Sequence, residues 1–254
     1  MGRRITQLPE QEKLTVFDKS ARLYDLIYGK MKDYPRDAEK IHHLLQEIQP
    51  RAKTILDVGC GTGEHARQLA ERFGYQVDGL DINPAFTEIA AAKNPAGRFV
   101  TADMSGFDMR RTYDVVTCLF GSIGYATSVE RTISALSCFA RHLSPDGVLL
   151  VEPWFTPEAW HPPGLFLMPV EEDNLKVCRM SLSGQEGRIA TVHFHYLVGT
   201  PESISHFEED HRLLLLSRDE MAECFARAGL SVMHRAGFHE KDQRGLYVAR
   251  KMPS

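Results

Sequence analysis

The chain is poor in cysteine, with five in 254 residues and no CxxC spacing. An odd count at such spacing argues against a disulfide framework and for reduced thiols in a cytoplasm. Charge of one sign is also scarce: the net charge is -4 and no Lys/Arg run compensates, so the chain has no electrostatic footprint for nucleic acid. Long apolar runs are missing. Nothing approaches the ~18 residues of a membrane span and the start carries no apolar leader, so neither a membrane partner nor export is expected. Gly2 and Thr6 match the myristoylation pattern MGxxx[ST], which is short enough to arise by chance. The 43% hydrophobic and 25% charged residues that are present suit one sizeable globular domain, or one domain with an insertion.

The most informative stretch is Ile-Leu-Asp-Val-Gly-Cys-Gly-Thr-Gly, from Ile55 to Gly63. An apolar strand runs into a glycine loop, and Ala66, Leu69, Ala70 and Phe73 follow at the period of a helix face. Glycines let the backbone turn and let a ligand approach, and the helix end offers free N–H groups. Gly61, Gly63 and Ala66 also satisfy GxGxxA, which leaves a nicotinamide or flavin dinucleotide open. Asp81 closes the apolar run Val77 to Leu80, where a carboxylate can accept both hydroxyls of a ribose. Asp103-Met104 follows a third short strand, Arg98 to Thr101.

Asp57, Gly59, Gly61 and Gly63 together resemble the first motif of class I S-adenosylmethionine-dependent methyltransferases. That resemblance implies that the loop wraps the methionine part of the cofactor and that Asp103 accepts from the adenine amino group. Ile82, Met104 and Leu119, beside the strand ends, complete the cofactor set it implies.

Along the chain, Phe17 to Tyr28 and a segment starting at Pro35 and stopping at Pro50 are expected to form two helices, with residues 1 to 13 polar and loose. Between them Lys30-Met31-Lys32-Asp33-Tyr34 makes a short basic, aromatic turn, either a plain helix connection or, as the resemblance implies, part of a lid over the cofactor. Strands at Ile55–Val58, Val77–Leu80, Arg98–Thr101, Tyr113–Cys118 and Val148–Val151 alternate with helices from Pro84 and from Ser128 to Leu143. Such alternation implies an α/β, Rossmann-like parallel sheet with ligands at the strands' carboxyl ends. Pro145-Asp146-Gly147 is a turn signal ahead of the fifth strand. Residues 153 to 169 form a proline-rich link, and alternating runs at Lys176–Leu182, Ile189–Val198 and Ile204–Leu216 are expected to be antiparallel strands. A helix capped at Ser217 by Glu220 and ending at Gly229 precedes a hairpin, Leu230–Arg235 with Leu246–Arg250. The expected organisation is 1-153 for lid and cofactor core, 154-216 for an antiparallel β platform over the acceptor, and 217-254 for the return helix and closing hairpin.

The loop after the fourth strand, Leu119 to Tyr125, lacks the Asp/Asn-Pro-Pro-Tyr signature of methyltransferases acting on base or glutamine nitrogens. Over nearly its whole length the chain is similar instead to the dTDP-amino-sugar N,N-dimethyltransferases of macrolide antibiotic biosynthesis. Leu23-Tyr24-Asp25, Lys32-Asp33-Tyr34, Glu152-Pro153-Trp154, His195 to Val198, His206 to Arg212 and Arg244-Gly245-Leu246 carry the likeness. It implies methyl transfer to a nucleotide-sugar amine, with Tyr24 and Tyr125 as catalytic candidates and Tyr34, Ser122, Trp154, Arg179, His195 and Arg244 as substrate contacts. Arginine suits bidentate pyrophosphate binding. One departure is Tyr125, where the family carries His; a tyrosine, with a pKa of ~10, is a poorer base but can still position an amine. Positioning alone can supply most of such a displacement.

His193 and His195 share a strand face, which raises a metal with Glu208 or His211; HxH in a strand commonly serves packing or hydrogen bonding, so no metal is expected. The expected cofactor is S-adenosyl-L-methionine and the expected partner a small-molecule acceptor, with a homodimer left open. Rival readings are a methyltransferase of another small amine or hydroxyl, a nicotinamide oxidoreductase, and a non-catalytic cofactor-binding protein.

Overall fold

The structure is a computed structural model that describes residues 17–238 and 244–253. The expectations for residues 1 to 13, and the Gly2 pattern, lie outside them. After a 3-10 turn at Ala21–Leu23 come α1 (Tyr24–Tyr28), α2 (Tyr34–Ile48), β1 (Thr54–Val58), α3 (Glu64–Phe73), β2 (Gln76–Asp81) and α4 (Pro84–Lys93). The chain continues through β3 (Phe99–Thr101), β4 (Tyr113–Cys118), α5 (Val129–His142) and β5 (Leu143–Val151). Four long strands follow, β6 (Gly164–Glu172), β7 (Leu175–Glu186), β8 (Ile189–Gly199) and β9 (Ile204–Leu214). The last elements are α6 (Arg218–Arg227), β10 (Leu230–Arg235) and β11 (Leu246–Lys251).

Helix starts follow their caps. Asn83 accepts the N–H groups of Ala85 and Phe86 ahead of α4, Ser128 accepts that of Arg131 ahead of α5, and Ser217 with Glu220 forms a full capping box on α6. Such a cap is worth about 1 kcal/mol. The seven-stranded sheet has the order β10-β11-β5-β4-β1-β2-β3. Strands β1 to β5 run parallel and β11 joins β5 antiparallel. Strand order therefore reverses beside β1, which opens a crevice at the carboxyl ends. One face of the sheet packs on α2 and α3 through Ile41, Leu45 and Leu69, the other on α5 and α6 through Leu136, Phe139 and Phe225. Strands β6 to β9 form a second, antiparallel sheet whose own core, Val177, Phe194 and Tyr196, packs on Ile27 and Tyr28 of α1.

Three local expectations are corrected. The first helix is one short turn-like piece, with Phe17 in a left-handed turn before it (φ 66°). Pro145-Asp146-Gly147 lies inside β5: Tyr113 pairs with Leu143 but Val115 with Val148, so the surplus residues bulge out where proline has no N–H for the ladder. Residues 164–169, read as link, belong to strand β6. It is an edge strand, and an edge tolerates Pro169.

Candidate active site

The glycine loop fixes the first cavity. Gly59, Gly61 and Gly63 sit at φ 68°, 53° and 74°. A Cβ on Gly59 would stand 2.8 Å from the Ser122 Cβ, and one on Gly63 2.8 Å from that of Ala90, so both positions exclude other side chains by space as well as by conformation. Gly61 N–H donates to Asp81 Oδ2 and Asn83 N–H to Asp81 Oδ1, each at 2.9 Å. Burial in this wall pushes the Asp81 carboxyl up to about 6 against those hydrogen bonds. Asp57 is buried beneath the loop and accepts from Thr117 Oγ1 at 2.8 Å; burial raises its pKa too.

A cavity of about 140 Å³ runs from Gly59 and Gly61 past Asp81 and Ile82 to Asp103 and Met104. Asp103 takes Ser105 on Oδ1 and Arg131 on Oδ2 (2.7 Å); burial would raise its pKa, but these donors outweigh it and hold the carboxyl below the usual range. Across the loop a space of about 30 Å³ is lined by Asp57, Leu119, Tyr34 and Lys32. Lys32 Nζ stands 3.2 Å from the Phe120 ring centroid. Burial lowers the Lys32 pKa to about 7 despite the pull of Glu152 and Asp37.

This cradle fits S-adenosylmethionine. Lys32, a desolvated cation with no carboxylate at ion-pair distance among the described residues, suits the amino-acid carboxylate. Asp81 suits the ribose diol and Asp103 the adenine amine.

The second cavity, about 470 Å³, opens between the lid and β6 to β9. Tyr28, Phe120, Trp154, Trp160 and Phe194 give it apolar walls, and Ser181, Ser183, Arg179 and His211 supply polarity. Tyr24 and Ser122 line all three spaces and Tyr125 lines the two larger ones, so these three stand where the cavities adjoin. Tyr24 stacks on Tyr28 at 4.2 Å between centroids. The lid is tied down on both sides: Asp25 accepts from Thr62 of the glycine loop and from Lys93, and Ser20 donates to Glu209 of β9.

Arg179 is 6% exposed and has no carboxylate at ion-pair distance among the described residues. It rests over the Phe194 and Tyr28 rings at 4.7 and 5.1 Å, and its Nη1 has no hydrogen-bond partner. Desolvating a cation without an anion costs several kcal/mol. Tyr125 Oη lies 2.8 Å from His211 Nδ1. His211 is buried between Phe17 and Phe194. Burial, helped by Arg179, lowers its pKa to about 4, while burial pushes the Tyr24 and Tyr125 phenols well above 10.0.

The structure separates the other candidates. Trp154 lines the large cavity, but Tyr34 lines the small cofactor space instead of the acceptor's. Arg244 stands behind the wall, 3.0 Å from the buried Glu152 carboxylate, beside a void of about 20 Å³. His195 lies on the opposite sheet face: Val192 and Phe194 face the cavity, so by the two-residue period His193 and His195 face away. His211 likewise cannot share a metal with them. Lys32 was not among the sequence candidates, and His211 was raised only as a candidate metal ligand, never as a wall of the acceptor site. Lys32 sat in the lid turn already singled out; for His211 no sequence signal tells which face of its strand is inward.

The family description "Methyltransferase domain" matches residues 55–147. The chain is 41% identical over 230 residues to the dTDP-3-amino-3,6-dideoxy-alpha-D-glucopyranose N,N-dimethyltransferase of Streptomyces fradiae, covering 90% of this chain and 89% of that one. Among solved structures, Streptomyces venezuelae DesVI superposes with a TM-score of 0.85 at 33% identity, covering 92% of this chain and 99% of its own. SAM-bound CalS10, an amino pentose methyltransferase from Micromonospora echinaspora, gives 0.81 at 33% identity, with 91% and 97% covered. These matches are all methyltransferases, which removes the nicotinamide reading.

Proposed function

The chain belongs to the S-adenosylmethionine-dependent methyltransferases that include the dTDP-amino-sugar N,N-dimethyltransferases, and we propose that it methylates the amine of a dTDP-linked deoxy-amino sugar. The observation that carries the acceptor is Arg179. A buried cation without a carboxylate at ion-pair distance among the described residues, at the wall of a cavity of about 470 Å³, calls for an anionic ligand, and a pyrophosphate supplies one. The aromatic walls suit the sugar and base faces.

When bound, S-adenosylmethionine supplies a methyl on a positively charged sulfur, which the acceptor nitrogen displaces in line. Tyr24, Ser122 and Tyr125 hold the amine at the junction of the cavities. Neither phenol ionises near neutrality, so neither serves as a phenolate base. His211 is neutral there and Nδ1 can accept the Tyr125 proton. The phenol oxygen then offers only lone pairs, which accept an amine N–H and leave the nitrogen lone pair free to attack. The opposite polarity would tie up that lone pair. The product ammonium loses its proton to solvent.

Incubation with S-adenosylmethionine and a panel of dTDP-amino sugars, read by mass spectrometry, tests this. Two methyl groups added to one nucleotide sugar support it; tight cofactor binding with methylation only of amines lacking a phosphate would overturn the acceptor. A cytoplasmic location, from the five free cysteines, and a homodimer, from exposed Leu165, Leu167, Met180 and Leu182 on β6 and β7, belong to the same proposal; light scattering tests the dimer. No described helix is long and apolar enough to cross a membrane.

A further inference from the structure

The outer face of the antiparallel sheet carries His193 and His195 on β8 and His206, Glu208 and Asp210 on β9. Register places His195 opposite Glu208 and His193 opposite Asp210, so alternate residues of both strands project to one side. None of these residues lines the acceptor cavity.

Three ligand atoms converge there. His195 Nδ1 stands 3.1 Å from His206 Nε2 and 3.3 Å from Glu208 Oε1, and His206 Nε2 stands 3.8 Å from the same oxygen. In a tetrahedral zinc site with bonds of about 2.0–2.1 Å, ligand atoms sit roughly 3.3–3.4 Å apart. The triangle therefore has nearly the dimensions of one face of that tetrahedron before any ion enters. His193 Nε2 lies 3.6 Å from Glu208 Oε2, and the other nitrogen of its ring is held by Asp210. A carboxylate behind a histidine is how metal-binding imidazoles are oriented. His193, His195 and Glu208 offer one ligand atom each, all within 4.8 Å of one another.

We propose that this face binds one divalent transition-metal ion, zinc foremost, through His195, His206 and Glu208, with His193 as the fourth ligand. Histidine and carboxylate together select zinc, cobalt, nickel or copper over magnesium and calcium. Cross-strand histidine and carboxylate pairs also stabilise sheets without an ion, but a pair needs only two groups, and here the ligand atoms of three residues meet at chelating distances. The ion would clamp the edge strand β9 to β8 and take no part in methyl transfer.

The test uses the full chain without an affinity tag, stripped with chelator and titrated with Zn²⁺ by calorimetry and with Co²⁺ by visible absorption. The expected result is one ion per chain, the intense absorption of tetrahedral cobalt, and a thermal midpoint raised by about 5–10 °C at ~100 times the dissociation constant. His206→Ala and Glu208→Gln, both at exposed positions, should each weaken binding at least tenfold. His195→Ala with His206→Ala should abolish both binding and the midpoint shift, while the metal-free midpoint and methylation rate stay at the parent values. Absence of a stoichiometric site in the parent chain, or unchanged binding in the double variant, overturns the assignment. Neither outcome depends on which acceptor is methylated.

Discussion

The cofactor cradle and the acceptor chamber share Tyr24 and Ser122 but are built from opposite materials. The cradle is a narrow space of about 140 Å³ whose polar groups come from one short loop and the ends of adjacent parallel strands. Its acids are pre-positioned by backbone N–H groups, as Gly61 and Asn83 hold Asp81. The chamber, at about 470 Å³, is walled by aromatic rings from the lid, the loop after β4 and the second sheet, and its buried charge, Arg179, has no carboxylate at ion-pair distance among the described residues. The acids of the first region are set before its ligand arrives, and only Lys32 at its edge waits for a counter-charge; the second region depends on its ligand to balance it.

The sharpest test of that contrast is Asp81→Ala. It removes a carboxylate that holds the loop and faces the proposed ribose site, and two charge-assisted hydrogen bonds of about 1.5–3 kcal/mol each predict a loss of ~10²–10⁴-fold in S-adenosylhomocysteine affinity by calorimetry. An affinity within threefold of the parent would show that the cradle is not polarised around this residue. Arg179→Met should do the reverse. The KM for the nucleotide sugar should rise ~30–100-fold with cofactor affinity unchanged, and the thermal midpoint should rise by a few degrees because an unpaired buried charge is gone. A midpoint that falls would mean that Arg179 is balanced without ligand.

Lys32 extends the comparison to pH. Its pKa in the free protein is about 7, and a bound carboxylate raises it, so the complex holds more protons above that pH. Cofactor affinity should therefore be level below pH ~7 and fall by up to tenfold per unit above it. Lys32→Met should flatten the profile; a flat profile in the parent would remove Lys32 from the carboxylate. The smallest effect is expected from Tyr125→Phe, less than tenfold in kcat, since the phenol positions and does not ionise. A loss beyond ~10³-fold, within the range of general-base catalysis, would falsify the positioning role.

The cradle was legible in the sequence because its chemistry is local. Asp57, Gly59, Gly61, Asp81 and Asp103 each sit at a strand end that apolar runs announce, and each lines one of the two smaller spaces beside the glycine loop. The chamber was legible only in part. Trp154 and Arg179 are in its wall, yet His195 points to solvent because a one-residue shift of parity turns a strand residue to the other face, which no local pattern fixes on a two-sided sheet. Arg244 was misplaced for another reason: its partner Glu152 lies just past the end of β5, 92 positions earlier, and only the fold brings that carboxylate within 3.0 Å. β6 was lost to Pro169 and to the Pro162-Pro163 pair just before it, and an edge strand tolerates the former.

The unpaired arginine also sets a clock. A sugar carries a nucleotide diphosphate only between its activation and its transfer to another molecule. A chamber that balances its charge with that diphosphate works within this interval and releases its hold once the handle is gone. If Arg179 takes the diphosphate as proposed, the same amine on a finished, neutral glycoside would leave it desolvated, and selection would act through the chemical age of the substrate as much as through its shape.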